Sequence, residues 1–79
     1  MYIKVPNRII EVEGKKTIRN AGQEEVREAV SELNITGIEI GMWLNFPTVD
    51  FPEPPTKPQD REDLRRVERH LTLLGFEIS

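Results

Sequence analysis

His70 is the only imidazole in a chain of 79 residues, and there is no cysteine. A structural zinc site needs four ligands drawn mainly from these two side chains, so a self-contained zinc centre is not expected. Asp60, Glu62 and Asp63 bring three carboxylates close together. They lack the Asp/Asn ladder, the central glycine and the closing glutamate of a calcium loop. Their pattern reads instead as the acidic first turns of a helix, where carboxylates face the positive end of the dipole. No metal or other cofactor is expected.

Nucleophilic catalysis has little to work with. His70 is the one available imidazole base, and Ser31, Ser79 and the threonines stand in no recognisable setting. The Gly-x-Ser-x-Gly elbow is absent. Gly37 and Gly41 flank no phosphate-binding motif, and Gly14-Lys15-Lys16 reads as a charged turn. His70 reads as a boundary residue of a helix, and the chain is expected not to be an enzyme.

The cationic residues are better organised. Arg61, Arg65 and Arg69 recur every fourth residue, with Arg66 beside them. Such a stripe can lie on nucleic-acid phosphates or on an acidic protein. The plainer reading is a solvated helix face supported by pairs such as Glu62–Arg66 and Arg65–Glu68. Lys15 and Lys16 add a second basic spot.

The net charge of −3 conceals a segregation. Residues 1–19 set Lys4, Arg8, Lys15, Lys16 and Arg19 against Glu11 and Glu13, a local charge of +3. Residues 20–55 set Arg27 against seven carboxylates, a local charge of −6. Overall acidity disfavours indiscriminate nucleic-acid binding, while the patches leave local contacts open.

These residues must be positioned by a small number of elements. Tyr2–Val5, Arg8–Glu13 and Lys16–Ile18 read as short antiparallel strands, with turn signals at Pro6-Asn7 and Gly14-Lys15. Asn20 reads as a helix N-cap with Gln23 three residues on. Val26, Ala29, Val30 and Leu33 then form one buried stripe, and Asn34 suits the left-handed stop. Residues 35–44 read as a strand. Ile38, Ile40, Met42 and Leu44 face the core, and Glu39, Gly41 and Trp43 face away. Gln59–Leu74 reads as a second helix buried through Leu64, Val67, Leu71 and Leu74, with the lone Leu73 pointing outward. Gly75 closes it and Phe76–Ile78 makes a terminal strand.

Five of the six prolines lie between residues 46 and 58, beside Trp43, Phe46 and Phe51. Proline fixes φ and removes a donor, so this run is expected to form a stiff arm that is neither helix nor central strand. The plainer reading has the arm cross this domain's surface, with Phe46, Val49 and Phe51 capping the core or covering Trp43; the functional reading has it pack on another chain. Pro52-Glu53-Pro54-Pro55 has the proline spacing of a polyproline-II ligand without its flanking arginine.

The expected fold is α+β: one small domain over residues 1–79 with a proline-rich arm at 46–58. The expectation is one mixed sheet of four to five strands, two helices on one face, and a parallel crossover at the end. No apolar run approaches the length of a membrane span, and a cytoplasmic location is expected. The functional expectation is a non-catalytic protein-interaction module, acting as a homodimer or as an inhibitory or regulatory partner. Trp43, Phe46, Phe51, Pro52 and Leu73 would make the contact. The alternative is a nucleic-acid-binding domain using Arg61, Arg65, Arg66, Arg69, Lys15 and Lys16.

Overall fold

The computed structural model describes residues 1–52 and 58–79. The elements run β1 (Tyr2–Lys4), β2 (Asn7–Val12), β3 (Lys15–Asn20), α1 (Gln23–Ser31), β4 (Glu39–Trp43), β5 (Phe46–Asp50), α2 (Pro58–Leu73) and β6 (Phe76–Glu77). The fold is α+β, as its pattern of elements implies. Its six strands form two three-stranded antiparallel sheets, β1-β5-β4 and β3-β2-β6, rather than one mixed sheet.

The two sheets share a spine. β1 and β2 are successive stretches of one strand, broken at Val5-Pro6. The C-terminal segment pairs along both: β6 pairs antiparallel with β2, and Ser79 exchanges both backbone hydrogen bonds with Lys4 at 3.0 and 3.3 Å. The register slips by one residue between these pairings, which places the extra residue of a bulge at Val5-Pro6. A parallel crossover does not occur, because β6 docks antiparallel on β2.

Turn chemistry explains the hairpins. Val12 pairs with Lys15, so Glu13-Gly14 is a two-residue loop, and both residues have positive φ, 51° and 79°. That is the type I′ geometry whose twist matches the flanking strands. Between β4 and β5 the loop is Leu44-Asn45, since Trp43 pairs with Phe46.

The proline run departs from expectation here. Phe46–Asp50 is the central strand of its sheet, paired with β1 on one side and β4 on the other. Pro47 is tolerated because its missing donor faces β1 just beyond Lys4, the last ladder residue there. Its carbonyl still accepts the Val5 N–H at 2.9 Å. Residues 53–57, with the polyproline-like Glu53-Pro54-Pro55, lie outside the described residues.

The core joins both layers. Ile3, Val5, Val49 and Phe51 from the first sheet meet Val26, Ala29 and Val30 of α1, Val67 and Leu71 of α2, and Phe76. Leu33 and Leu64 pack at its margin. Leu74 does not belong to the buried stripe. α2 ends at Leu73, and the turn leaves Leu74 exposed. Gly75 takes φ +91°, and a side chain there would meet the Ile9 carbonyl at 2.8 Å. Glycine is therefore required where α2 turns into β6.

Two further boundaries move. Asn20 is consumed by the β2–β3 ladder opposite Asn7, so α1 starts later with Gly22 as its N-cap. The Gly22 N–H donates to Glu25 Oε1 at 2.8 Å. β4 begins only at Glu39, because Asn34 and Gly37 hold positive φ in the preceding loop. Ile38 and Ile40 pack against the core as expected, but Met42 and Leu44 emerge beyond its edge, 53% and 78% exposed.

Candidate interaction surface

The strand alternation divides the β1-β5-β4 sheet into two faces. Ile3, Val5, Val49 and Ile40 point to the helices. Tyr2 and Lys4, Phe46, Thr48 and Asp50, and Glu39, Gly41 and Trp43 share the other face, as the register Lys4↔Thr48↔Gly41 fixes. The two helices cover the first face only, so this second face is the outer surface of the sheet.

Trp43 dominates it and is 49% exposed. Its ring stacks on Tyr2 with centroids 6.4 Å apart and planes inclined by 26°. Lys4 Nζ lies 5.5 Å from the Trp43 ring centroid, within cation–π range. Phe46 sits opposite Trp43 across the strand pair and is half-buried. Gly41 makes the arrangement possible: a side chain there would fall 2.6 Å from Asp50 Oδ2 and 2.9 Å from Thr48 Oγ1. Without one, those two side chains lean across β4 behind the aromatic row. Neither Glu39 nor Asp50 forms an ion pair with a described residue.

Leu44 closes the row at the tip of the hairpin. It combines φ 54° with 78% exposure. A bulky non-glycine residue held in this region costs roughly 1–2 kcal/mol. Strain of this kind collects at contact sites, and here it projects an apolar side chain into solvent.

The expected contact residues therefore separate. Trp43 and Phe46 come together on the outer face. Phe51 is removed from the set, because it is 6% exposed and belongs to this domain's own core. Pro52 is exposed just after β5. Leu73 is 78% exposed but sits on α2, in the other layer. Tyr2, Lys4 and Leu44 are additions. Tyr2 and Lys4 follow from period-2 alternation only once β1 is known to pair with β5, a long-range pairing that no local pattern encodes.

The cationic residues also separate. Lys15 and Lys16 are exposed at the end of the β2–β3 hairpin, on opposite faces of it. Arg61, Arg65 and Arg69 are exposed on α2 and pair with no described acid. Arg66 pairs with Asp63 at 3.5 Å, not with Glu62, and no Arg65–Glu68 pair forms. His70 is a boundary residue whose Nε2 lies 3.1 Å from Glu32 Oε1, tying α2 to α1.

The strongest electrostatic constellation is one that spacing could not reveal. Glu25 receives Arg19 in a two-bond fork at 2.7 and 2.8 Å, Arg8 at 3.0 Å and the Gly22 N–H. The fork from Arg19 is the main reason its pKa is lowered to about 2. Arg8 also lies over the Phe76 ring, 4.7 Å from its centroid. All partners of Glu25 are internal, so the cluster is a clasp between the β2–β3 hairpin and α1 rather than a reactive site.

No three or more His, Asp or Glu side chains among the described residues gather as metal ligands would. No helix among them is long and apolar enough to cross a membrane. No protein-family model, curated protein or solved structure matches the chain.

Proposed function

We propose that this domain is a non-catalytic protein-interaction module whose contact surface is the outer face of the β1-β5-β4 sheet. The observation that carries the reading is the Tyr2–Trp43 stack, half exposed on a sheet face that no helix covers. Tryptophan and tyrosine, with large, rigid, amphipathic surfaces, are enriched among the few residues that carry most of the energy at protein interfaces. The strained Leu44 and the exposed Met42 extend the same edge.

The chemistry of the face also describes its partner. Lys4 over Trp43 illustrates that the ring takes a cation. Glu39 and Asp50, with no ion-pair partner among the described residues, supply negative charge on the same face. A partner offering arginine or lysine beside an apolar side chain fits both features. This agrees with the acidic middle of the chain and with an inhibitory or regulatory role against a basic surface.

This placement limits the arm's share of the contact to Phe46, Thr48 and Asp50, which alternate onto the outer face. Pro47, Val49 and Phe51, alternating with them, stabilise this domain's own sheet and core.

The test is recovery of a partner by immobilised domain, compared between wild type, Trp43→Ala and Leu73→Ala. The reading expects the partner to be retained by wild type and Leu73→Ala and lost with Trp43→Ala. Equal recovery with Trp43→Ala, or no partner at all, would overturn it.

A nucleic-acid reading has one observation in its favour: Arg61, Arg65 and Arg69 on α2 pair with no acid among the described residues. Against it stand the acidic α1 alongside and the separation of Lys15 from Lys16 across the hairpin. It requires salt-dependent binding to DNA or RNA that weakens when Arg65 and Arg69 are replaced.

A further inference from the structure

The outer surface of the helical layer is divided by charge. α1 buries Val26, Ala29 and Val30. The opposite side of that helix carries Glu24 and Glu28, with Glu32 one turn further at its flank. α2 buries Val67 and Leu71, and its opposite side carries Arg65, Arg69 and Leu73. Arg61 extends the basic row by one turn. The two helices are neighbours, joined by the His70–Glu32 contact at 3.1 Å.

The two rows match in spacing. Glu24, Glu28 and Glu32 recur every fourth residue, and so do Arg61, Arg65 and Arg69. Four helical residues rise about 6 Å, so successive charges on the two rows fall into register when one row lies along the other. Within one chain this pairing does not form. Arg61, Arg65 and Arg69 make no ion pair with a described residue, and Glu28 makes none either. Glu24 is held by Arg27, and Glu32 by His70. The residues of both rows are exposed, so they are available to a second molecule.

We propose that a second copy of this chain docks on the helical layer, with the acidic row of each copy against the arginine row of the other. A two-fold axis between the two helices brings α1 over the partner copy's α2 and the reverse at once. Both halves of the contact are then equivalent, and each acidic row meets an arginine row whose charge is lowered by Glu62, exposed on the same side of α2. Leu73, exposed on the same side as Arg65 and Arg69, adds an apolar contact at the C-terminal end of the row. Glu68 lines the same shallow groove as Arg65, Arg69 and Leu73, and tempers the charge of the basic row. The interface is therefore dominated by exposed charge pairs, and it is weak and salt-sensitive. It uses the layer opposite the aromatic face and stands independently of that face's proposed role.

The experiment is sedimentation equilibrium on wild type, on Arg65→Glu with Arg69→Glu, and on Glu28→Lys with Glu32→Lys, at low and high salt. All these positions are exposed, and far-ultraviolet circular dichroism checks that each variant is folded. Wild type is expected to dimerise at low salt, with the association constant falling about tenfold or more at high salt. Each double variant alone is expected to be monomeric, because like charges then face each other. An equimolar mixture of the two variants is expected to recover the dimer, as a heterodimer with its charges exchanged. Wild type that is monomeric at low salt overturns the proposal. So does a dimer that both variants retain, or a mixture that fails to associate. Binding of DNA or RNA by a monomeric wild type, lost in Arg65→Glu with Arg69→Glu, would reassign the arginine row to phosphates.

Discussion

Replacing Glu25 by glutamine tests how the β2–β3 hairpin is held to α1. Glutamine keeps the shape and one acceptor but loses the charge that draws in Arg19 and Arg8. The carboxyl of Glu25 is lowered from 4.5 to about 2, chiefly by the forked hydrogen bonds from Arg19. A shift of that size corresponds to at most about 3 kcal/mol at ~1.4 kcal/mol per pH unit. The site is partly exposed, with 21% of the Glu25 side chain accessible, and screening reduces this to roughly 1–2 kcal/mol. The sign follows from linkage. A carboxylate with a depressed folded-state pKa adds stability that is fully present above 4.5 and is lost as pH falls towards about 2. Urea unfolding of wild type and Glu25→Gln should therefore differ by about 1–2 kcal/mol near pH 7. By about pH 3 more than half of that difference should be gone, because the unfolded state then binds a proton that the folded state still excludes. A difference that persists unchanged at about pH 3, or none near neutrality, would refute the view that the clasp is electrostatic.

Leu71→Ala removes a fully buried side chain of α2 from the core cluster. It should cost about 2–5 kcal/mol in denaturant unfolding, a large share of a small domain's stability. Leu44→Gly should stabilise the fold by about 0.5–1 kcal/mol, because glycine adopts the positive φ of the hairpin tip without strain. The same change should weaken partner binding by removing an exposed apolar contact, so thermal stability and affinity are expected to move in opposite directions.

The helices were the most legible part of the sequence, and for a physical reason. Val26, Ala29 and Val30, and then Val67 and Leu71, are spaced to bury one face, and that spacing is local. Asn34 and Gly75 at the helix ends both take the positive φ their positions imply. Strand alternation correctly placed Trp43 and Gly41 away from the core. Strand pairing was not legible, because it depends on contacts distant in sequence. Proline at 47 argued against a central strand, yet its missing donor falls past the end of β1 and costs the ladder little. Phe51 looked like a contact residue by composition and is a core residue by topology. Tyr2 and Lys4 became part of the candidate surface only through the pairing of β1 with β5. The Glu25 clasp unites residues 8, 19 and 25 from three elements, and only the fold brings them together.

Trp43 is the single tryptophan of the chain, so its fluorescence reports on the proposed contact surface directly. The decisive measurement is acrylamide quenching of Trp43 emission with and without bound partner. A partner seated on the outer face of the β1-β5-β4 sheet should bury the half-exposed ring, shift its emission to shorter wavelength and protect it from quenching. Bound partner that leaves Trp43 emission and quenching unchanged would contradict the account.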